Sequence, residues 1–223
     1  MAEVDHAALE ANKDELEAIV KLTEKAELEL ALKRNELMTP IFEKRREVIA
    51  KIPKFWPTVL QMSHAVSEMS EPRDVPALDH LTDVWVKYDP KDPRLFDIIL
   101  TFSENPYFTN KELVKKVRVR PGEDGQDEPF SEDFKINWKE GKDLTNSKRK
   151  KDELDSASFF EWFTDDDASL AQYFALEFFA EALSIYVNGG EDNMDDDDDD
   201  ESVDLEGSED EEEEEHPKKK SKK

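Results

Sequence analysis

The 223-residue chain contains no cysteine, which excludes disulfides, thiolate metal centres and thiol nucleophiles and fits a reducing compartment. Its six glycines form no phosphate-cradling loop, and no G-x-S-x-G turn occurs. Four histidines, His6, His64, His80 and His216, stand far apart with neither H-x-x-x-H nor H-E-x-x-H spacing, so no metal site is expected. Carboxylate pairs abound, but among 57 acidic residues their pairing carries no information. The run Asp195–Asp200 lacks the spacing and the glycine of a calcium loop. No catalytic residue and no cofactor are expected. No run approaches 18 apolar residues, and the start MAEVDHAALEA has no basic n-region. The expectation is a soluble chain with neither a signal peptide nor a membrane partner.

What the chain has is negative charge. Its net charge is −26, with 39% charged and 37% hydrophobic residues. Residues 191–215 carry 18 acidic groups and no basic one, and five lysines follow at 218–223. The last 33 residues hold half of the net charge, and the remaining 190 hold the other half. Such a surface repels nucleic-acid backbones and attracts basic partners. Direct, sequence-specific binding of nucleic acid is therefore not expected, and a strongly basic protein is the natural ligand.

The longest feature is a helical run from Leu9 to Ile52 with no glycine and one proline, Pro40. Leu9, Leu16, Thr23, Leu30 and Leu37 recur every seven residues. Ile19 and Ala26 follow three positions after Leu16 and Thr23, and Ile41 resumes the pattern past Pro40, which predicts a kink rather than an end. Glu17–Lys21 and Glu29–Lys33 add i,i+4 pairs. At 1.5 Å per residue the run spans about 65 Å, against about 40 Å for a globule of this size. A seam of that length needs another copy or another chain to cover it; a second copy is the expectation, with these eight residues as the dimerisation surface.

Beyond Ile52-Pro53 a shorter helix is expected over Pro57–Met69. The period then falls from 3.6 to 2. Val84, Val86 and Tyr88 mark one strand, residues 95–102 a second and residues 113–120 a third. Phe134, Ile136 and Trp138 mark a fourth. Short turns between them predict a four-stranded antiparallel sheet. Residues 141–157 read as a polar loop. Helix returns at Ser158–Phe163 and again from Leu170 to Val187, where the sequence is apolar nearly all round and predicts a helix packed on the sheet. Gly189-Gly190 ends it. Residues 191–223 have too little apolar surface to order themselves. The fold class is α+β, divided into a long helix (1–56), an α/β domain (57–190) and an acidic tail (191–223).

Two kinds of charged cluster point outward. Glu161, Thr164, Asp165, Asp166 and Asp167 follow the aromatic block at Phe159–Phe163, where they form an acidic patch and also serve as caps for the next helix. The tail carries Asp195, Asp196, Asp197, Asp198, Asp199 and Asp200, then Glu211, Glu212, Glu213, Glu214 and Glu215. Lys218, Lys219, Lys220, Lys222 and Lys223 have the composition of a nuclear import signal, with Lys148-Arg149-Lys150-Lys151 a second candidate.

Four blocks, EKRREVIAKIPKFW (43–56), FSENPYFTNKEL (102–113), INWKEGKDLT (136–145) and SFFEWFTD (158–165), resemble the nucleosome assembly protein/SET family of histone chaperones. The similarity covers roughly residues 9–187 and is strongest to the SET branch and its fungal relatives. The resemblance implies a homodimer through the long helix, with an α/β "earmuff" domain on each protomer. It also implies core histones bound on the earmuff's acidic underside, where Thr164 and Asp165 match the family block, and a nuclear protein with shuttling to the cytoplasm permitted. It permits, too, an alternative role as an adaptor that activates a histone acetyltransferase or inhibits a phosphatase. One departure stands in the last helix. Where relatives carry a proline after an aromatic, this chain has Phe178-Phe179-Ala180, which predicts an unbroken helix.

Overall fold

A computed structural model describes residues 5–122, 126–145 and 158–189. The chain opens with α1 (His6–Ala11), capped by the Asp5 carboxylate, and continues after one turn residue into α2 (Lys13–Ile49). The long run is thus broken at Asn12, whose side-chain amide donates to the Ala8 carbonyl at 2.7 Å and competes with the backbone ladder. By contrast α2 runs on through Pro40, beside which the Thr39 hydroxyl donates to the Asn35 carbonyl at 2.7 Å. It ends at Ile49, three residues before the expected stop. The turn that follows reverses through Lys54 at φ 60°, held by its ammonium on the Asp79 carbonyl at 2.6 Å.

The expected helix over 57–69 forms as two pieces, α3 (Phe55–Met62) and α4 (His64–Ser67), parted at Ser63. A short α5 (Val75–Leu78) leads into the sheet. The strands β1 (Leu81–Tyr88), β2 (Phe96–Phe102), β3 (Glu112–Pro121) and β4 (Asp127–Glu132) are antiparallel in the order 1-2-3-4. The first three lie where the alternation put them. The fourth does not. Phe134, Ile136 and Trp138 lie in an extended segment that bonds instead to the loop after β2. There Thr109 N–H donates to the Asn137 carbonyl at 3.0 Å and Lys139 N–H to the Tyr107 carbonyl at 2.8 Å. An extended chain alternates whether or not it joins a sheet. The true edge strand, DEPFSE, is polar and carries Pro129, as edges often do.

One face of the sheet buries Val84, Val86, Ile98, Leu100, Leu113 and Val117. Three of the sequence blocks meet on it, with Phe108 edge-on to Trp138 (5.8 Å) and to Phe160 (5.7 Å). The block Phe159–Thr164 is a 3-10 helix, tighter than the helix expected there. After α6 (Ser169–Tyr173), residues Phe174–Phe178 form a π-helical turn that passes directly into α7 (Phe179–Asn188). The last helix is therefore continuous but widened in its middle, where the Tyr88 hydroxyl donates to the Ala175 carbonyl at 2.9 Å. Gly189, at φ 78°, caps it.

Ser169–Asn188 also has the length and mean hydropathy, 1.2, of a membrane-crossing helix. Its Phe174, Ala175, Phe178, Phe179 and Ala182 are buried in the core. Trp56 stacks on Phe179 with ring centroids 6.3 Å apart, and Phe42 of α2 meets the same ring at 4.9 Å.

Candidate functional site

The acidic segment after the 3-10 helix is held from below. Ser158 opens that helix with a reciprocal cap: its hydroxyl accepts from Phe160 N–H at 3.3 Å, and Glu161 accepts from Ser158 N–H at 3.5 Å. Beneath it lies Asp74, fully buried. One carboxylate oxygen accepts from the Ser158 hydroxyl (2.7 Å), and the other from the backbone N–H groups of Phe159 (2.9 Å) and Glu71 (3.0 Å). The aromatic side chains Phe159, Phe160, Trp162 and Phe163 anchor the helix in the core.

Past Phe163 the chain runs along the free side of β4. Ser131 N–H donates to the Asp166 carbonyl at 2.9 Å and the Ser131 hydroxyl to the Asp167 carbonyl at 3.1 Å. Phe134 N–H donates to the Phe163 carbonyl at 2.9 Å. The Lys115 ammonium, rising from β3, donates to the carbonyls of Trp162 and Asp165. These carbonyls face inward, and the side chains of Thr164, Asp165, Asp166 and Asp167 are exposed. Burial pulls Lys115 below the usual ammonium range, against the opposing charges of Asp165, Asp133, Asp167 and Asp166.

The carboxylates are ordered locally. Asp165 accepts from Asp167 N–H at 3.0 Å, and Asp167 from Ser169 N–H at 2.8 Å. Hydrogen bonds from the Ser169 backbone and hydroxyl, with the charge of Lys115, hold Asp167 below the usual carboxylate range. The residue at the N-cap of α6 is Ala168, without a side-chain cap bond, and Asp167 instead accepts from the first residue of that helix. Asp166 lies 3.8 Å from Arg120, which bonds Glu128 at 2.7 Å.

Of the five residues expected here, four form the exposed segment. Glu161 is half-buried and committed to its own helix start. Sequence reasoning missed Lys115, Asp74 and Asp133. Lys115 carries a signal in hindsight: it sits at the inward register between Leu113 and Val117, opposite Ile98.

The eight expected dimerisation residues, Leu9, Leu16, Ile19, Thr23, Ala26, Leu30, Leu37 and Ile41, are all exposed in the protomer, Leu30 at 70%. Val20, Leu22 and Val48 are exposed with them. On α2, Phe42 and Ile49 are buried and face the chain's own core. Ile41 and Phe42 stand about 100° apart around the helix axis, so α2 has one apolar face toward its own domain and another facing outward. The tail acids at 195–200 and 211–215, and the lysines at 148, 150, 151 and 218–223, lie outside the described residues.

The family model for nucleosome assembly protein (NAP) matches residues 49–215. The chain belongs to the nucleosome assembly protein family. Within it, a Schizosaccharomyces pombe protein whose name includes the words nucleosome assembly protein is 35% identical over 180 residues, 73% of each chain. The human protein SETSIP is 38% identical over 146 residues, 62% of this chain and 49% of that protein. The chain spans between about half and three quarters of the length of these two relatives. The crystal structure of Ccp1 is similar with a TM-score of 0.69 and 30% identity, covering 82% of this chain and 96% of that one. The long helix followed by a four-stranded sheet is thus the nucleosome assembly protein fold.

Proposed function

We propose that the chain is an ATP-independent histone chaperone that works as a homodimer, with α2 as the dimer helix and the 57–190 region as the histone-binding earmuff. The observation that carries the binding site is the segment Thr164–Asp167, in which the carbonyls of Asp165, Asp166 and Asp167 are tied inward while the three carboxylates face solvent. Opposed to a basic histone surface, such a rigid acidic edge selects by shape, and net charge raises the encounter rate. The tail (191–223) adds long-range attraction, screened beyond about 8 Å at physiological salt. No step in this cycle makes or breaks a covalent bond. Lys218, Lys219, Lys220, Lys222 and Lys223 serve nuclear import in this reading.

The test is titration of a core-histone pair against the wild-type chain and an Asp165→Lys/Asp166→Lys variant at 0.05 M and 0.3 M salt. At 0.3 M the Debye length is about 5–6 Å, so close contacts dominate. The variant is expected to lose about tenfold or more in affinity at 0.3 M, since two attractive contacts become repulsive. Unchanged affinity at 0.3 M contradicts the site.

A further inference from the structure

Lys115 is 0% exposed, in the middle of a central strand, between Leu113 and Val117 and opposite Ile98, all of them fully buried. A lysine there is costly: its ammonium leaves water, and a well-packed apolar side chain of similar length is often neutral or better for stability. The ammonium donates to the backbone carbonyls of Trp162 and Asp165 and lies 5.8 Å from the centre of the Trp162 ring. Its electrostatic partners are Asp133, Asp165, Asp166 and Asp167, the carboxylates of the proposed histone-binding edge and one neighbour. Three successive aspartates repel one another, and the cations set against that repulsion are Lys115 beneath them and Arg120, 3.8 Å from Asp166.

We propose that Lys115 is the positioning residue of the histone-binding edge: it clamps the carbonyls of Trp162 and Asp165 inward at the start of the segment and offsets the repulsion that crowds its carboxylates, so that they stand in one fixed array. This rests on the reading of Thr164–Asp167 as the histone contact. Lys115 itself touches no histone.

The two roles a lysine could have here predict opposite signs. Lys115→Met removes a positive charge next to an acidic site. If charge alone mattered, a basic ligand would bind more tightly. If Lys115 positions the edge, binding weakens while folding does not. For the full-length Lys115→Met chain we expect a melting temperature at or above that of the wild type. Affinity for a core-histone pair at 0.3 M salt should fall about tenfold. Hydrogen exchange should quicken at the amides of Ser131, Phe134 and Asp167.

Equal or tighter binding by Lys115→Met, with Asp165→Lys/Asp166→Lys still weakening it, overturns the positioning role alone. Unchanged binding by the double aspartate variant overturns the site beneath it. Should Lys115→Met fail to fold, the wild-type chain still decides. A proton–nitrogen spectrum of its lysine ammonium groups is expected to show one slowly exchanging signal, close to Trp162, that shifts when the histone pair is added. A signal that does not respond to the histones overturns the proposal.

Discussion

At the scale of single residues, the site depends on polar groups in places where apolar ones would pack. Asp74 is buried beneath the 3-10 helix, and its three hydrogen bonds fix where that helix begins. Asp74→Ala leaves three donors without their acceptor. Hydrogen bonds to a charged group contribute about 1.5–3 kcal/mol each, and buried orphan donors add their desolvation. We expect a loss of about 3–5 kcal/mol, read as a lowered urea midpoint with an unchanged slope. A midpoint within error of the wild type would mean the helix start is held by its aromatics alone. Asp74 gave no signal in the sequence, and Lys115 gave only its inward register between Leu113 and Val117. An aspartate before Val75 and a lysine between two strand positions look like surface charges in one dimension. Only the packing of residues 84 positions apart shows Asp74 against Ser158.

At the scale of elements, periodicity served well where one face meets one core. The first three strands are where alternation put them, because each buries a single face, whereas the heptad run forms as helix with a break at Asn12 and its seam exposed in the protomer. It misplaced β4, since Phe134, Ile136 and Trp138 alternate in an extended loop while the polar edge strand next to them gives no apolar signal. It also read the last helix as regular, although five residues, Phe174–Phe178, adopt the π form. The exposed face of α2 carries the clearest element-level prediction. Each leucine of the seam gains about 1.5–3 kcal/mol when covered, whereas a glutamate there must leave water uncompensated. Leu30→Glu/Leu37→Glu should therefore turn dimers into monomers by light scattering at micromolar concentration. The earmuff core should still fold, because it is built on Phe42, Ile49 and the opposite face. A dimer that survives both changes would move the interface off α2.

At the scale of the molecule, charge and shape divide the work. Half of the net charge lies in the last 33 residues, where it acts at range and is weakened by salt. The acidic edge is small by comparison, and its proposed value lies in geometry: the carbonyls of Asp165, Asp166 and Asp167 bond to Lys115 and to Ser131 of β4, which fixes the backbone that carries the carboxylates. The account's central claim is that the folded edge, and not the tail alone, is where the histone sits. Zero-length carbodiimide crosslinking tests this most directly. It joins carboxylates of the full-length chain to lysines of a bound core-histone pair at 0.3 M salt, and mass spectrometry then finds the joined residues. The account predicts crosslinks from Asp133 and from Asp165–Asp167. Crosslinks confined to residues 191–215 would contradict it.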